Sequence, residues 1–412
     1  MKVAVFHPGT QHSWQTARAL QELELLEWFA TSVFYKPGDF PYRFEKLPGP
    51  IGRTLRAEFR RIASPALDQQ LVRTHGMHEW WERIARRAGL GRLATRLDQW
   101  GNASFGRALA PDIRSDRPFA LWGYNNSSRE AFVEARRRGR PCILDRTIGD
   151  WRAYNQSMAA LEERYGDWFV AGERRQNRAT IENEIEEHEL ADRILVGCEF
   201  AADTVRENAG SEEIAAKVEV LEYCFDEALF GRLAAPAPVP SDRPVRFLFM
   251  GQAIPRKGIH HVLEAIAQFP GNKAELTIVG ALSVPPGAFA PYADRVTYRS
   301  AVARADVPGI MAAHDVLLFP SYFEGAGLVL YEALAAGMAL IQSDRAAIAV
   351  TPETGILLGN ISTEALVDAM HEPIADRELL NFWRDHAQAE AEKYRFAGYR
   401  NRVAALIGRM GI

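Results

Sequence analysis

Two carboxylates eight residues apart are the first candidates for chemistry: Glu324 and Glu332, in the stretch SYFEGAGLVLYEALAAGMALIQSD at 321–344. Between Glu324 and Asp344, Glu332 is the only charged residue in a strongly apolar run. Gly325, Ala326 and Gly327 form a turn that leads into a helical pattern from Leu328. The first N–H groups of a helix lack internal acceptors and carry partial positive charge. Glycines let the backbone approach a ligand closely. The turn therefore suits an anion, most naturally a diphosphate. A carboxylate repels phosphate, so the glutamates need other partners. Glu332 lies among Tyr331, Ala333 and Leu334, where an unpaired buried charge would cost several kcal/mol. The hydroxyls of a ribose or a sugar supply paired donors for it. The plainer alternatives are a turn that only joins strand to helix and a solvated glutamate.

A second basic turn, GQAIPRKG at 251–258, carries Arg256 and Lys257 at the start of another helical pattern. The helix dipole disfavours cations there unless they serve something else. Two cations beside a leaving diphosphate would neutralise its charge. The loop HPGTQHSW at 7–14 adds Gly9, which can approach a donor, and His7 and His12, which could meet a sugar or an acceptor or be structural.

These groups need elements to hold them. VRFLFMG, AELTIVG, RVTYRS, DVLLFPS and MALIQSD read as strands, with helices at 258–269 and 307–313 between them. Strands separated by single helices imply a parallel sheet, and ligands bind outside the carboxyl ends of such strands. An earlier α/β series begins with a strand at 2–6 and a helix from 13 to about 28. It continues through a helical, arginine-rich 40–110, strands at 119–123, 141–144 and 193–196, and a short one ending near 223. The Ala- and Pro-rich LAAPAPVPSDRP at 233–244 reads as a linker. The expected fold is α/β, with two Rossmann-like domains of parallel sheet facing across a cleft: 1–232 together with a returning C-terminal helix at about 386–412, and 233–385.

At 412 residues two domains are the natural prior. The chain has 47% hydrophobic and 25% charged residues, as a folded globular protein does. It has no apolar run of about 18 residues that would span a bilayer. The apolar start is too short for a secretory signal, and three scattered cysteines suggest neither a disulfide framework nor a metal cluster. A cytoplasmic location is expected. Residues 41–140 carry 20 Lys and Arg against 10 Asp and Glu, a balance of +10 that leaves −14 on the rest. That asymmetry fits either solvated helix faces or an anionic partner, which would be a peripheral contact with the inner membrane face or a lipid-linked glycan rather than nucleic acid.

EGAGLVLYEALAAG resembles the E-x7-E motif of the family 4 retaining glycosyltransferases, which have the GT-B fold. FLFMGQAIPRKGIHHVLEAI is similar to their phosphate-binding turn, and ELADRILVGCEFAADTVRENAG, VLEYCFDEALF and TPETGILL to their flanking segments. The similarity runs from about 189 to 358. It implies a metal-independent enzyme, with no cofactor, that moves a sugar from a UDP- or GDP-sugar to an acceptor hydroxyl, in surface polysaccharide or glycoconjugate synthesis. Glu324 would meet the donor sugar, Glu332 the ribose, Lys257 the diphosphate, and the amides of Gly327 and Leu328 its distal phosphate. Two positions depart from the pattern. Gln252 stands where the family has Arg, with Arg256 as the substitute charge, and ILDRTIGDW lacks the usual sugar-contacting His near Asp145 and Arg146. The alternatives are a non-catalytic nucleotide-sugar-binding protein, or an epimerase or hydrolase on the same fold.

Overall fold

A computed structural model describes residues 1–9, 12–37, 39–40, 42–60, 62, 64–75, 104–170, 175–231, 233–300 and 302–412. Two parallel sheets organise them. The first has seven strands: β1 (Lys2–Phe6), β2 (Leu26–Thr31), β3 (Val72–Thr74), β4 (Phe119–Tyr124), β5 (Cys142–Arg146), β6 (Arg193–Val196) and β7 (Val218–Val220). Their order is β3-β2-β1-β4-β5-β6-β7. The second has six: β8 (Val245–Met250), β9 (Ala274–Val279), β10 (Val296–Arg299), β11 (Val316–Phe319), β12 (Ala339–Gln342) and β13 (Gly355–Leu357), in the order β10-β9-β8-β11-β12-β13. Every pairing is parallel. In each sheet the order reverses beside the first strand, β1 or β8, which places a crevice at the carboxyl ends there. The expected α/β class with two facing parallel sheets is what the chain adopts.

The inner strands are buried on both faces, as covered parallel strands must be. All six residues of β4 and all four of β11 are buried. The expected first helix is shorter than its pattern suggested. It ends at Glu22, Glu24 takes a left-handed φ of 59°, and Leu26–Thr31 is a strand. A run such as LEWFAT, buried on both faces, has no alternation to tell it from a helix tail. The arginine-rich 40–110 is not uniformly helical either. Its described parts hold a 3-10 turn at Tyr42–Lys46, a helix at Gly49–Arg60 and strand β3, while 76–103, with Trp80 and Trp81, lies outside the described residues.

The acidic 178–189 forms a helix, Arg178–Leu190, of whose glutamates Glu184 and Glu187 face inward. Glu187 is fully buried and accepts the N–H groups of Asn126 and Ser128 at 2.9 and 2.8 Å, ahead of the helix Arg129–Arg137. Burial nevertheless pushes its carboxyl up to about 7.

The C-terminal helices join the two halves. Helix Arg377–Ala391 packs along helix Leu328–Ala335 and pins the Pro-rich segment, with Arg384 donating to the Ala237 carbonyl at 2.7 Å. After a short 3-10 turn at Glu392–Tyr394, helix Phe396–Arg409 lies against helix Ser13–Glu22 of the first half. There the Tyr399 hydroxyl meets Thr16 Oγ1 at 2.7 Å. The Tyr331 and Tyr394 rings stack at 3.9 Å between the halves.

Candidate active site

The strands of both sheets deliver their loops to one cleft of about 540 Å³. Seven of the expected site residues line it: Lys257, Glu324, Gly325, Ala326, Gly327, Leu328 and Glu332. The opposite wall comes from the first half, through His12, Thr147 and Tyr223.

The loop after β11 is tightly specified. Gly327 has a φ of +78° and starts helix Leu328–Ala335. A side chain there would strain the backbone and meet the Phe319 ring at 2.9 Å. Gly325 abuts the first half so closely that a Cβ would sit 1.8 Å from the Thr147 carbonyl oxygen. Cys198, at the start of helix Glu199–Glu207, donates its S–H to the Gly325 carbonyl at 2.8 Å. The loop is thus a junction between halves as well as a helix start.

Glu324 sits at this junction with its side chain 12% exposed and accepts from Arg256 Nη1 and Lys257 Nζ, both at 2.9 Å on Oε1. Burial alone would raise its pKa, but the two cations outweigh burial and hold the carboxyl below its ordinary value. Lys257 faces the cleft, whereas Arg256 stands behind Glu324 and also donates to the Phe323 carbonyl. Gln252 is exposed and Gly9 is half-buried, its N–H donating to His7 Nδ1 at 3.0 Å; neither lines the cleft.

Glu332 is 5% exposed, in agreement with its reading as a buried carboxylate in need of donors. Its partner in the structure is Arg304, on the 3-10 turn Arg304–Asp306 beyond β10, which donates to both carboxylate oxygens. No feature of the sequence around Arg304 announces this contact. Only the folding of β10 beside β9 brings the turn over the helix.

At the end of β5, near which the usual sugar-contacting His is lacking, Asp145 and Arg146 turn inward. Asp145 accepts from the Tyr223 hydroxyl at 2.8 Å and Trp122 Nε1 at 3.2 Å, and burial raises its carboxyl to about 6. Arg146 is buried against Glu184 and donates to the Gly149 carbonyl at 2.7 Å. Both support the loop that presents Thr147. Tyr223, fixed by Asp145, in turn stacks on His12 at 3.9 Å between centroids. Among the described residues, the buried His12 Nε2 meets no hydrogen-bond partner. Burial lowers both His7 and His12 to about 4, so this wall is uncharged at neutral pH.

The cleft therefore has a glycine-lined floor that carries two cation–carboxylate pairs, Lys257 with Glu324 and Arg304 with Glu332, and a neutral aromatic wall. Comparison with known proteins gives the same direction. Residues 244–376, which hold nearly all of the floor, match the family described as glycosyl transferases group 1. Over 154 residues the chain is 29% identical to the lipopolysaccharide glucosyltransferase WaaG of Escherichia coli, covering 35% of this chain and 41% of that protein. Over 183 residues it is 25% identical to the alpha-D-kanosaminyltransferase of Streptomyces kanamyceticus, covering 42% and 47%. The aligned part is thus less than half the length of these curated relatives. The fold matches along nearly the whole chain. Sucrose-phosphate synthase from Thermosynechococcus elongatus superposes with a TM-score of 0.63 at 17% identity, covering 100% of this chain and 99% of that one. Anabaena HepE in complex with UDP-glucose does so with 0.63 at 14%, covering 99% and 100%. Residues 244–376 are similar to group 1 glycosyl transferases, and they sit in a chain with the two-sheet α/β architecture of GT-B structures.

Proposed function

We propose that the protein is a glycosyltransferase that takes its sugar from a nucleotide diphosphate sugar bound in this cleft. The observation that carries the reading is the joint placement of Lys257, Glu324, the Gly327 helix start and Glu332 along one floor. A sugar nucleotide has the matching sequence of groups: sugar hydroxyls, a diphosphate and a ribose diol. Glu324 accepts from the sugar, Lys257 and the amides after Gly327 take the diphosphate, and Glu332 takes the ribose. Relatives matched over part of the chain include two sugar transferases, and HepE was solved with UDP-glucose, which supports a UDP-sugar as the first donor to try.

The reaction we propose there is the one the resemblance to retaining glycosyltransferases implies. The bond from the anomeric carbon to the diphosphate oxygen breaks, and a bond to the acceptor oxygen forms on the same face of the sugar, with retention. The acceptor's proton passes to the departing diphosphate, whose growing charge Lys257 and the helix start stabilise. This scheme assigns no step to a metal or a cofactor. Incubation with UDP- and GDP-sugars and candidate acceptors tests it. Nucleoside diphosphate release that depends on acceptor is expected, with a product of retained configuration. Binding without release points instead to a non-catalytic binding protein, and release without acceptor to a hydrolase.

The acceptor side suggests a glycan or lipid-linked acceptor at an anionic membrane. Phe40, Phe44 and Leu47 are 59%, 45% and 43% exposed, and Arg43 and Lys46 beside them are exposed too. Their segment leaves the carboxyl end of β2, on the same edge as the loop that carries His12. Among the described residues no helix is long and apolar enough to cross a membrane. Salt-sensitive sedimentation with anionic vesicles, lost in F44S/L47S, is the expected result; equal sedimentation of the two proteins, or none by either, counts against it.

A further inference from the structure

The carboxylate proposed to seat the ribose has a partner within the chain itself. Arg304 Nη1 donates to Glu332 Oε2 at 3.1 Å and Nη2 donates to Oε1, so the guanidinium grips both oxygens side by side. The arginine side chain is 53% exposed and that of Glu332 only 7%. A fork of two parallel N–H donors is the geometry a carboxylate binds best. The vicinal hydroxyls of a ribose offer the same kind of paired donors to the same two oxygens. Both cannot have them in full.

We propose that Arg304 is an internal competitor for the ribose, which sets the affinity of the cleft for nucleotides and hastens their departure. This rests on the reading of the cleft as a nucleotide-sugar site. In the empty protein Arg304 spares Glu332 the penalty of a buried carboxylate without a partner. When the nucleotide enters, its 2′- and 3′-hydroxyls displace the guanidinium. When the nucleoside diphosphate leaves, Arg304 returns, so part of the ribose contact is offset in advance. The displaced side chain has other company. Asp226, which caps the short helix Glu227–Phe230, acts on it by charge, and the Phe230 ring lies 5.6 Å from its Cζ. Arg304 reaches this place from the exposed side, where it can swing without disturbing the core.

The test is a pair of ligands on a pair of proteins. UDP and GDP, each with its 2′,3′-dideoxy form, are titrated calorimetrically into the wild type, R304A and R304K. The quantity read is the ratio of the dissociation constant of the dideoxy form to that of the full nucleotide. Any general effect of the arginine's charge on the diphosphate is common to both forms and cancels. In R304A the ratio is expected to rise by roughly three- to tenfold, the worth of a half-exposed charge-assisted pair. R304K, which keeps the charge but loses the fork, should fall between. Dissociation of the full nucleotide, followed by stopped flow, should slow by a similar factor in R304A. Binding with an unchanged or smaller ratio in R304A overturns the competitor and leaves the nucleotide site standing. Failure of UDP, GDP and their dideoxy forms to bind any of the proteins overturns the nucleotide-sugar reading, and the competitor with it.

Discussion

Single residues in this protein do their work in pairs, and the pairs decide what each substitution should do. Lys257 and Arg256 both hold Glu324 Oε1, but only Lys257 also faces the cleft. Arg256→Ala should therefore lower turnover by about tenfold, the loss of one charge-assisted bond that positions Glu324, with little change in nucleotide affinity. Steady-state kinetics beside calorimetry separates the two quantities, and equal losses in both would make Arg256 a ligand rather than a support. Asp145 offers a test by pH. Its carboxyl is raised by burial from 3.8 to about 6. The folded protein thus keeps a proton there that the unfolded chain loses. The stability this group provides is full below about pH 4 and declines as the pH rises to about 6, by on the order of 3 kcal/mol. In Asp145→Asn that decline should be absent, so the difference in unfolding free energy between the two proteins changes across this window. Parallel pH profiles would contradict it. Of the residue-scale picture, Glu324, Glu332, Lys257 and the glycines were legible because they lie in two short stretches with local meaning. Arg304, Cys198 and Thr147 were not, because each comes to the site from a distant part of the chain.

Elements show where local pattern stops being informative. The strands of the second half were readable because each apolar run ends in a turn and a helix follows. β2 was absorbed into the preceding helix, since a strand buried on both faces has no period of two. The helix Arg178–Leu190 was hidden for the opposite reason. Its buried positions include Glu184, Glu187 and His188, and their partners, Arg146 and the N–H groups ahead of Arg129–Arg137, lie in other elements. The loop between β11 and helix Leu328–Ala335 carries the sharpest prediction at this scale. Gly325→Ala would push a Cβ into the Thr147 backbone, and backbone cannot swing aside. A cost of about 1–3 kcal/mol in stability is expected, together with a loss of activity larger than stability explains, because the Glu324 loop must move. Gly287→Ala, where a Cβ would meet nothing within 4 Å, serves as the control. Equal melting temperatures and activities for the two variants would show that the halves do not meet through this loop.

The whole molecule is two parallel sheets closed on each other by the chain's own end. Helix Phe396–Arg409 returns to the first half, and helix Arg377–Ala391 clasps both the Pro-rich segment and the helix that carries Glu332. The architecture was legible from the alternation of strand and helix. How the first half completes the cleft was not, because its wall of His12, Thr147 and Tyr223 depends on the apposition of the halves. What the assembly achieves is a cleft whose floor, with its two cation–carboxylate pairs and its helix start, faces a neutral wall, and which we propose seats an extended ligand with an anionic middle. The affinity of Lys257→Ala for UDP and GDP tests that claim most directly. Calorimetric titration should show the wild type binding at least one of the two, and the variant binding it about 10- to 100-fold more weakly, as expected on loss of a charge-assisted contact to the diphosphate. Equal affinity in the two proteins, or no binding by the wild type, would contradict the account.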